Sequence, residues 1–191
     1  DKEKHSLEEL VSVFDSDRIQ KSGAQFDIKK ATWINHLHIK EGSTKKIIEA
    51  SGKKFDELVS LFGEEKSNQV ISLVKERLNL IVDLQKEVGF FLNSPSSYDP
   101  KVLNKLNKEE ALIVLKFCTL EVRVSKDSAA IKEGLFREST KNKISFGQTM
   151  KTLRLAIVGA LKGPDLFKIV EIIGTSETLK RINKLTKTLK Q

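Results

Sequence analysis

The chain has 191 residues, 34 Lys and Arg against 26 Asp and Glu for a formal net charge of +8, and 39% hydrophobic residues. That is enough for one domain or two small ones with a core that needs no staples, and it argues against disorder. One cysteine and three histidines exclude a disulfide framework and a Cys/His zinc site, no apolar run approaches the roughly 18–20 residues of a membrane span, and Asp1-Lys-Glu-Lys is no signal peptide, so a soluble, cytoplasmic protein is expected.

Three Pro, a single Tyr and abundant Lys, Leu and Ile point to an all-α fold. Ser6-Leu-Glu-Glu9 is a capping-box pattern ahead of Leu10, Val11 and Phe14, which predicts a short first helix. Asp15-Ser-Asp17 and Lys21-Ser-Gly23 interrupt it. A second helix begins near Asp27, with Ile28, Ala31, Ile34 and Leu37 on one face, and ends before Gly42. Lys45 to Ala50 and Phe55 to Phe62 are short amphipathic pieces split by Ser51-Gly52 and closed by Gly63.

From Lys66, the positions Val70, Ile71, Val74, Leu78, Ile81 and Val88 fall in one sector at about 100° per residue, predicting a long core-facing helix to about Leu92 with Arg77 on its flank. Asn93-Ser-Pro-Ser-Ser-Tyr-Asp-Pro100 reads as a linker and marks a subdomain boundary. Leu112, Leu115, Val122 and Val124 belong to the following helices, and Ser125 to Glu133 to a further capped one. The run Leu153, Leu155, Ala156, Ile157 and Val158 fits a helix or a buried strand, and periodicity leaves both open. Pro164 at or near N1, Asp165 in the first turn and Gly174 at C′ frame a short helix with Leu166, Phe167, Ile169, Val170 and Ile173 inward. Ser176 caps the last helix, whose Leu179, Ile182, Leu185 and Leu189 pack inward while its basic residues point out.

Catalytic chemistry is sparse. Cys118 lies inside an apolar run without a neighbouring His and reads as a core thiol. His36 and His38, two apart, face different sides of a helix and do not form a metal pair. No Walker loop, GxGxxG unit or acidic magnesium constellation is present. Phe26 and Trp33 are at core spacing, which favours packing over base stacking.

The charge is one-sided. Residues 1–44 and 45–100 each carry a net −1, 101–150 carry +4 and 151–191 carry +6. Thr178 to Gln191 holds Lys180, Arg181, Lys184, Lys187 and Lys190 with no acid, so a polyanion should approach that end, the alternative being a solvated lysine face. Arg154 borders an apolar run and fits either a buried ion pair or an RNA contact. Lys162-Gly-Pro-Asp-Leu166 brings a glycine loop to a helix N-terminus, an anion or base-edge site or an ordinary helix start.

Three motifs in order carry a resemblance. Lys21-Ser-Gly-Ala-Gln-Phe-Asp-Ile-Lys-Lys30 with Ala31-Thr-Trp-Ile-Asn35, then Glu76-Arg77-Leu78 with Gly89-Phe-Phe-Leu92, and finally Met150-Lys-Thr-Leu-Arg-Leu-Ala-Ile-Val-Gly159 with Gly163-Pro-Asp-Leu-Phe167 and Leu179-Lys-Arg-Ile182 are similar to the part of bacterial and organellar glutamyl-tRNA synthetases that follows the catalytic domain. The chain departs from that pattern at Thr152, where Pro is usual, at Val158, where Thr is common, and at His38, where Tyr is common.

The resemblance implies a helical anticodon-binding superhelix in two subdomains, 45–97 and 98–191, preceded by a stem-contact segment over 1–44. It implies that Arg154, with Gly163, Pro164 and Leu166, reads the anticodon, that Arg77 contributes from the proximal subdomain, and that Lys180, Lys184 and Lys187 hold phosphates. The expected partner is tRNA-Glu, with tRNA-Gln as an alternative, for a monomer with no membrane association. ATP and Mg would belong to a catalytic domain that this chain lacks, so it has no cofactor or catalytic residue and should be inactive alone. The competing expectation is a non-catalytic helical module of the same fold that binds a protein through apolar grooves.

Overall fold

Side-chain caps start most of the helices in the computed structural model, which describes residues 4–19, 23, 25–125 and 127–191. Ser6 and Glu9 close a capping box on α1 (Leu7–Val13), and Asp27 accepts from the Lys30 amide at the head of α2 (Ile28–Glu41). Lys21, Ser22 and Ala24 of the first motif lie outside the described residues. Then follow α3 (Thr44–Ser51), α4 (Lys53–Phe62), α5 (Glu64–Lys75), α6 (Leu84–Leu92), α7 (Pro100–Leu103), α8 (Lys108–Val124), α9 (Ser128–Lys141), α10 (Phe146–Val158) and α11 (Leu166–Lys190). No strand occurs among the described residues, so the fold is all-α. None of these helices is long and apolar enough to cross a membrane.

The long helix expected from Lys66 to Leu92 is two helices. After α5 the chain turns, Leu80 is extended, and a 3-10 turn over Ile81–Asp83 leads into α6. Asp83 takes the Leu80 amide with its own side chain, a local bond that competes with the helix. The carbonyls freed at Leu78 and Asn79 are taken by the His36 imidazole and the Asn35 amide of α2. Leu78 and Val88 are buried as the apolar period implies, whereas Ile81 is exposed. The period was real, but it came from two helices facing one core.

Most apolar residues of the N-terminal segment are not core. Phe26 is 76% exposed and Trp33 44%, against the packing expected from their spacing, and Leu10, Val11, Phe14 and Ile28 are exposed as well. Within α2 only Ile39 is buried. The core proper runs continuously from Ile39 to Leu189.

Helices α3 to α6 pack among themselves, α8 to α11 do the same, and α6 meets α11 between the two sets. The segment 93–99 lies at that meeting. Gly159 ends α10 at φ 82°, and a Cβ there would come within 2.8 Å of the Ser97 carbonyl and 3.0 Å of Pro95, so the close approach and the left-handed backbone both require glycine. Its carbonyl accepts from the Asp99 amide.

The expected break in the last stretch is also present. Gly174, at φ 75° and ψ 173°, kinks α11 into two helical pieces. At the head of α11 the cap is Asp165, whose carboxylate accepts from the Lys168 amide. Pro164 therefore stands near N1, one residue before the cap.

Candidate nucleic-acid interface

Arg154 projects from α10, one turn before its C-terminal end. Its guanidinium is half-buried and donates from Nη1 to the Pro164 carbonyl at 2.8 Å. That bond ties α10 to the loop that feeds α11. No carboxylate lies within ion-pair distance of Arg154 among the described residues, so the buried ion pair is ruled out there, and four of its five N–H donors have no protein acceptor. Burial pushes its pKa down, Asp165 opposes this, and Arg77 is near enough to add to it.

Arg77 is exposed and sits in the turn after α5, not on a helix flank. Its Nε donates to Glu87 at 3.0 Å. The two arginines singled out by the sequence thus come from different helix sets yet feel each other's charge.

Gly163 borders the Arg154 guanidinium: a Cβ there would stand 3.4 Å from Nη1 and 3.2 Å from Val158. Its lack of a side chain leaves that approach open. Pro164 and Leu166 are buried, so they offer backbone and shape but not their side chains to a ligand.

The C-terminal basic residues divide. Lys180 pairs with Glu177 at 3.3 Å, and Lys184 donates to the Pro95 carbonyl. Lys187 is exposed without an ion pair among the described residues. Together with Asn183 these lysines line one open groove on α11. Arg181, expected on the outward face, is instead 1% exposed.

A family profile described as an anticodon binding domain matches residues 40–186. The chain belongs to the anticodon-binding domain family. It is similar to the glutamate–tRNA ligase of Flavobacterium johnsoniae, 36% identical over 190 residues covering 99% of this chain and 38% of that protein, and to that of Porphyromonas gingivalis strain W83, 35% identical over 191 residues with the same coverage. Among solved structures it resembles a glutamate tRNA ligase from Elizabethkingia meningosepticum in complex with its amino acid, at a TM-score of 0.79 and 30% identity over 97% of this chain and 37% of that one. The glutamate-tRNA synthetase of Elizabethkingia anophelis gives 0.76 and 29%, over 96% and 36%. The chain therefore spans about 38% of the length of the curated relatives it matches.

Within this anticodon-binding domain Cys118 behaves as a side chain of the core. Cys118 is fully buried, and burial followed by the Glu121 charge pushes its thiol pKa up. His36 is committed to the Leu78 carbonyl. Sequence reasoning missed Arg181, although the signal was available: it lies on the same stripe as Thr178, Ile182 and Leu185, all buried. A cation on an apolar stripe calls for buried acceptors.

Proposed function

We propose that this chain binds the anticodon arm of tRNA-Glu as part of a glutamate–tRNA ligase. The parent would join L-glutamate to tRNA-Glu with ATP and Mg, releasing AMP and diphosphate, with that chemistry housed outside the region described here. The observation that carries the reading is Arg154: a half-buried guanidinium with a single protein acceptor among the described residues, beside a glycine and within the field of a second arginine. A desolvated, unpaired cation is costly to maintain unless a ligand supplies acceptors.

In this reading the Pro164 carbonyl orients the guanidinium and its remaining N–H groups meet the edges of an unstacked anticodon base. Gly163 leaves room for that base, and the amides at the start of α11, near Leu166, supply further donors. Arg77 adds charge from the α5 side. Lys180, Lys184 and Lys187 hold backbone phosphates, which position the arm without specifying it. The grouping of helices on either side of 93–99 supports a boundary between subdomains 45–97 and 98–191, with 1–44 as the stem-contact segment. The chain acts as a monomer in the cytoplasm.

The test is binding of the anticodon stem-loop of tRNA-Glu and of one with a swapped anticodon, by filter retention at two salt concentrations. Tighter binding of the cognate stem-loop supports the reading, and equal binding sinks the readout. A tRNA-Gln stem-loop in the same assay reports whether the two tRNAs are told apart. The competing protein-interaction module has one observation in its favour, an apolar groove between α8 and α11 lined by Leu112, Ile113, Leu115 and Leu120. No RNA retention at low salt would favour it.

A further inference from the structure

Residues 100–108, with Lys101, Lys105 and Lys108, and residues 139–164, with Lys141, Lys143, Lys151, Arg154 and Lys162, contain no acid. The fold brings them together. Lys101 from α7, Lys105 just beyond it and Lys151 from α10 share the rim of one groove of about 260 Å³. All three are exposed, and none has an ion pair or a side-chain hydrogen bond among the described residues. They differ in this from Lys180 and Lys184, whose ammonium groups are already engaged.

The inside of the groove is of another kind. Val102 and Leu106 pack against the core and Leu161 closes the third side, with the Gln148 amide beside them. An apolar wall under a cationic rim fits a nucleotide, the base lying on the wall and the phosphodiester among the lysines. A free inorganic anion would have no use for the wall, and an apolar peptide none for the lysines.

The position relates this groove to Arg154. Lys151 and Arg154 are three residues apart on α10, on one face and about 5 Å along the axis. Leu161 lies two residues before Gly163 in the same loop. The groove therefore lies beside Arg154, on the same helix and the same loop.

We infer that the groove bounded by Lys101, Lys105 and Lys151 is a binding site for the single-stranded nucleotide next to the base read at Arg154, held through its phosphate without regard to sequence. The inference rests on the anticodon-arm reading above and adds a site on the α7 and α10 side of the domain.

The experiment uses the full chain with the cognate and the anticodon-swapped stem-loops. The variant K101A/K105A/K151A should lose about tenfold or more in affinity for both RNAs alike. Its plot of log affinity against log salt should be shallower by about 0.7, the value for one single-strand phosphate contact removed. A second variant, Leu161→Glu, puts a negative charge on the wall and should weaken both RNAs equally. Thermal unfolding at the wild-type midpoint shows that each variant is folded. If the wild type binds and both variants bind like it with an unchanged slope, the site is overturned while the anticodon reading stands. If the wild type retains neither stem-loop at low salt, the anticodon reading fails and the site falls with it.

Discussion

The Arg181 guanidinium donates to the Ile157 carbonyl at 2.9 Å, placing a buried cation on the last turn of α10. The same side chain reaches the Phe90 carbonyl at 2.7 Å and the Phe91 carbonyl at 3.3 Å on the last turn of α6, while Glu177 takes its Nε at 2.9 Å. One charge thus closes two helix C-termini, where carbonyls lack intrahelical donors and the dipole is negative. Burial lowers the arginine's pKa, and the Glu177 hydrogen bond and charge oppose this only in part. Because α6 and α10 belong to the two helix sets, this contact fixes one set against the other.

Arg181→Met should therefore destabilise the fold by about 3–5 kcal/mol, the range for removing one partner of a buried charged network. Arg181→Lys should recover only part of this, since a single ammonium lacks the planar fork that serves three carbonyls and a carboxylate. Denaturant midpoints of the three proteins check both statements.

Arg154→Ala should behave in the opposite way. It should leave the unfolding midpoint close to wild type, because the bond to Pro164 is the only one it loses among the described residues. It should weaken cognate stem-loop binding by about 1–3 kcal/mol and alter base preference. A large loss of stability with unchanged binding would make Arg154 a brace for the loop.

Replacing Lys187 and Lys190 by Ala should reduce affinity for every RNA and flatten the salt slope by about 1–2, as expected for two phosphate contacts. Both lysines are exposed and without an ion pair among the described residues. An unchanged slope would leave the end of α11 as a solvated face.

Glu177 supplies a pH dependence. Burial acts to raise its pKa, but hydrogen bonds from Ser94 and Arg181 and the Arg181 charge outweigh it, so the folded value lies below the ordinary 4.5. A depressed carboxylate contributes stability above its unfolded pKa and loses it as pH falls through the folded value. Stability measured from pH 6 down to pH 3 should thus decline below about pH 4.5, and Glu177→Gln should flatten that part of the curve.

Thr152 presents a buried hydroxyl with no hydrogen-bond partner among the described residues, in the interior of α10. Thr152→Val keeps the shape and removes the unsatisfied group, so it should stabilise the protein by about 1 kcal/mol. Its midpoint in urea gives the answer.

Much of this was legible in advance because it is local. Ser6 and Asp27 are helix signals set by neighbours three or four residues away. The break at Gly174 is local too, since its φ of 75° suits a residue without Cβ. The three motifs pointed to the family, and Arg154 and its loop were singled out before the fold was known. The turn after Lys75 was not legible, because the apolar period passes straight through it and its free carbonyls are satisfied by Asn35 and His36, more than forty residues away.

The sequence by itself determined that the protein is helical, where most helices begin, which family it belongs to and that its positive charge lies in the C-terminal half. The tertiary structure alone decided what each cation does. Arg181 was counted with the outward lysines and proved to be the buried clasp between α6 and α10, Lys180 and Lys184 were already engaged, and Lys101, Lys105 and Lys151 were left open around one groove. The physical reason is range: a cap or a period acts within a turn or two, whereas a cation's role depends on acceptors that the chain delivers from as many as 91 residues away.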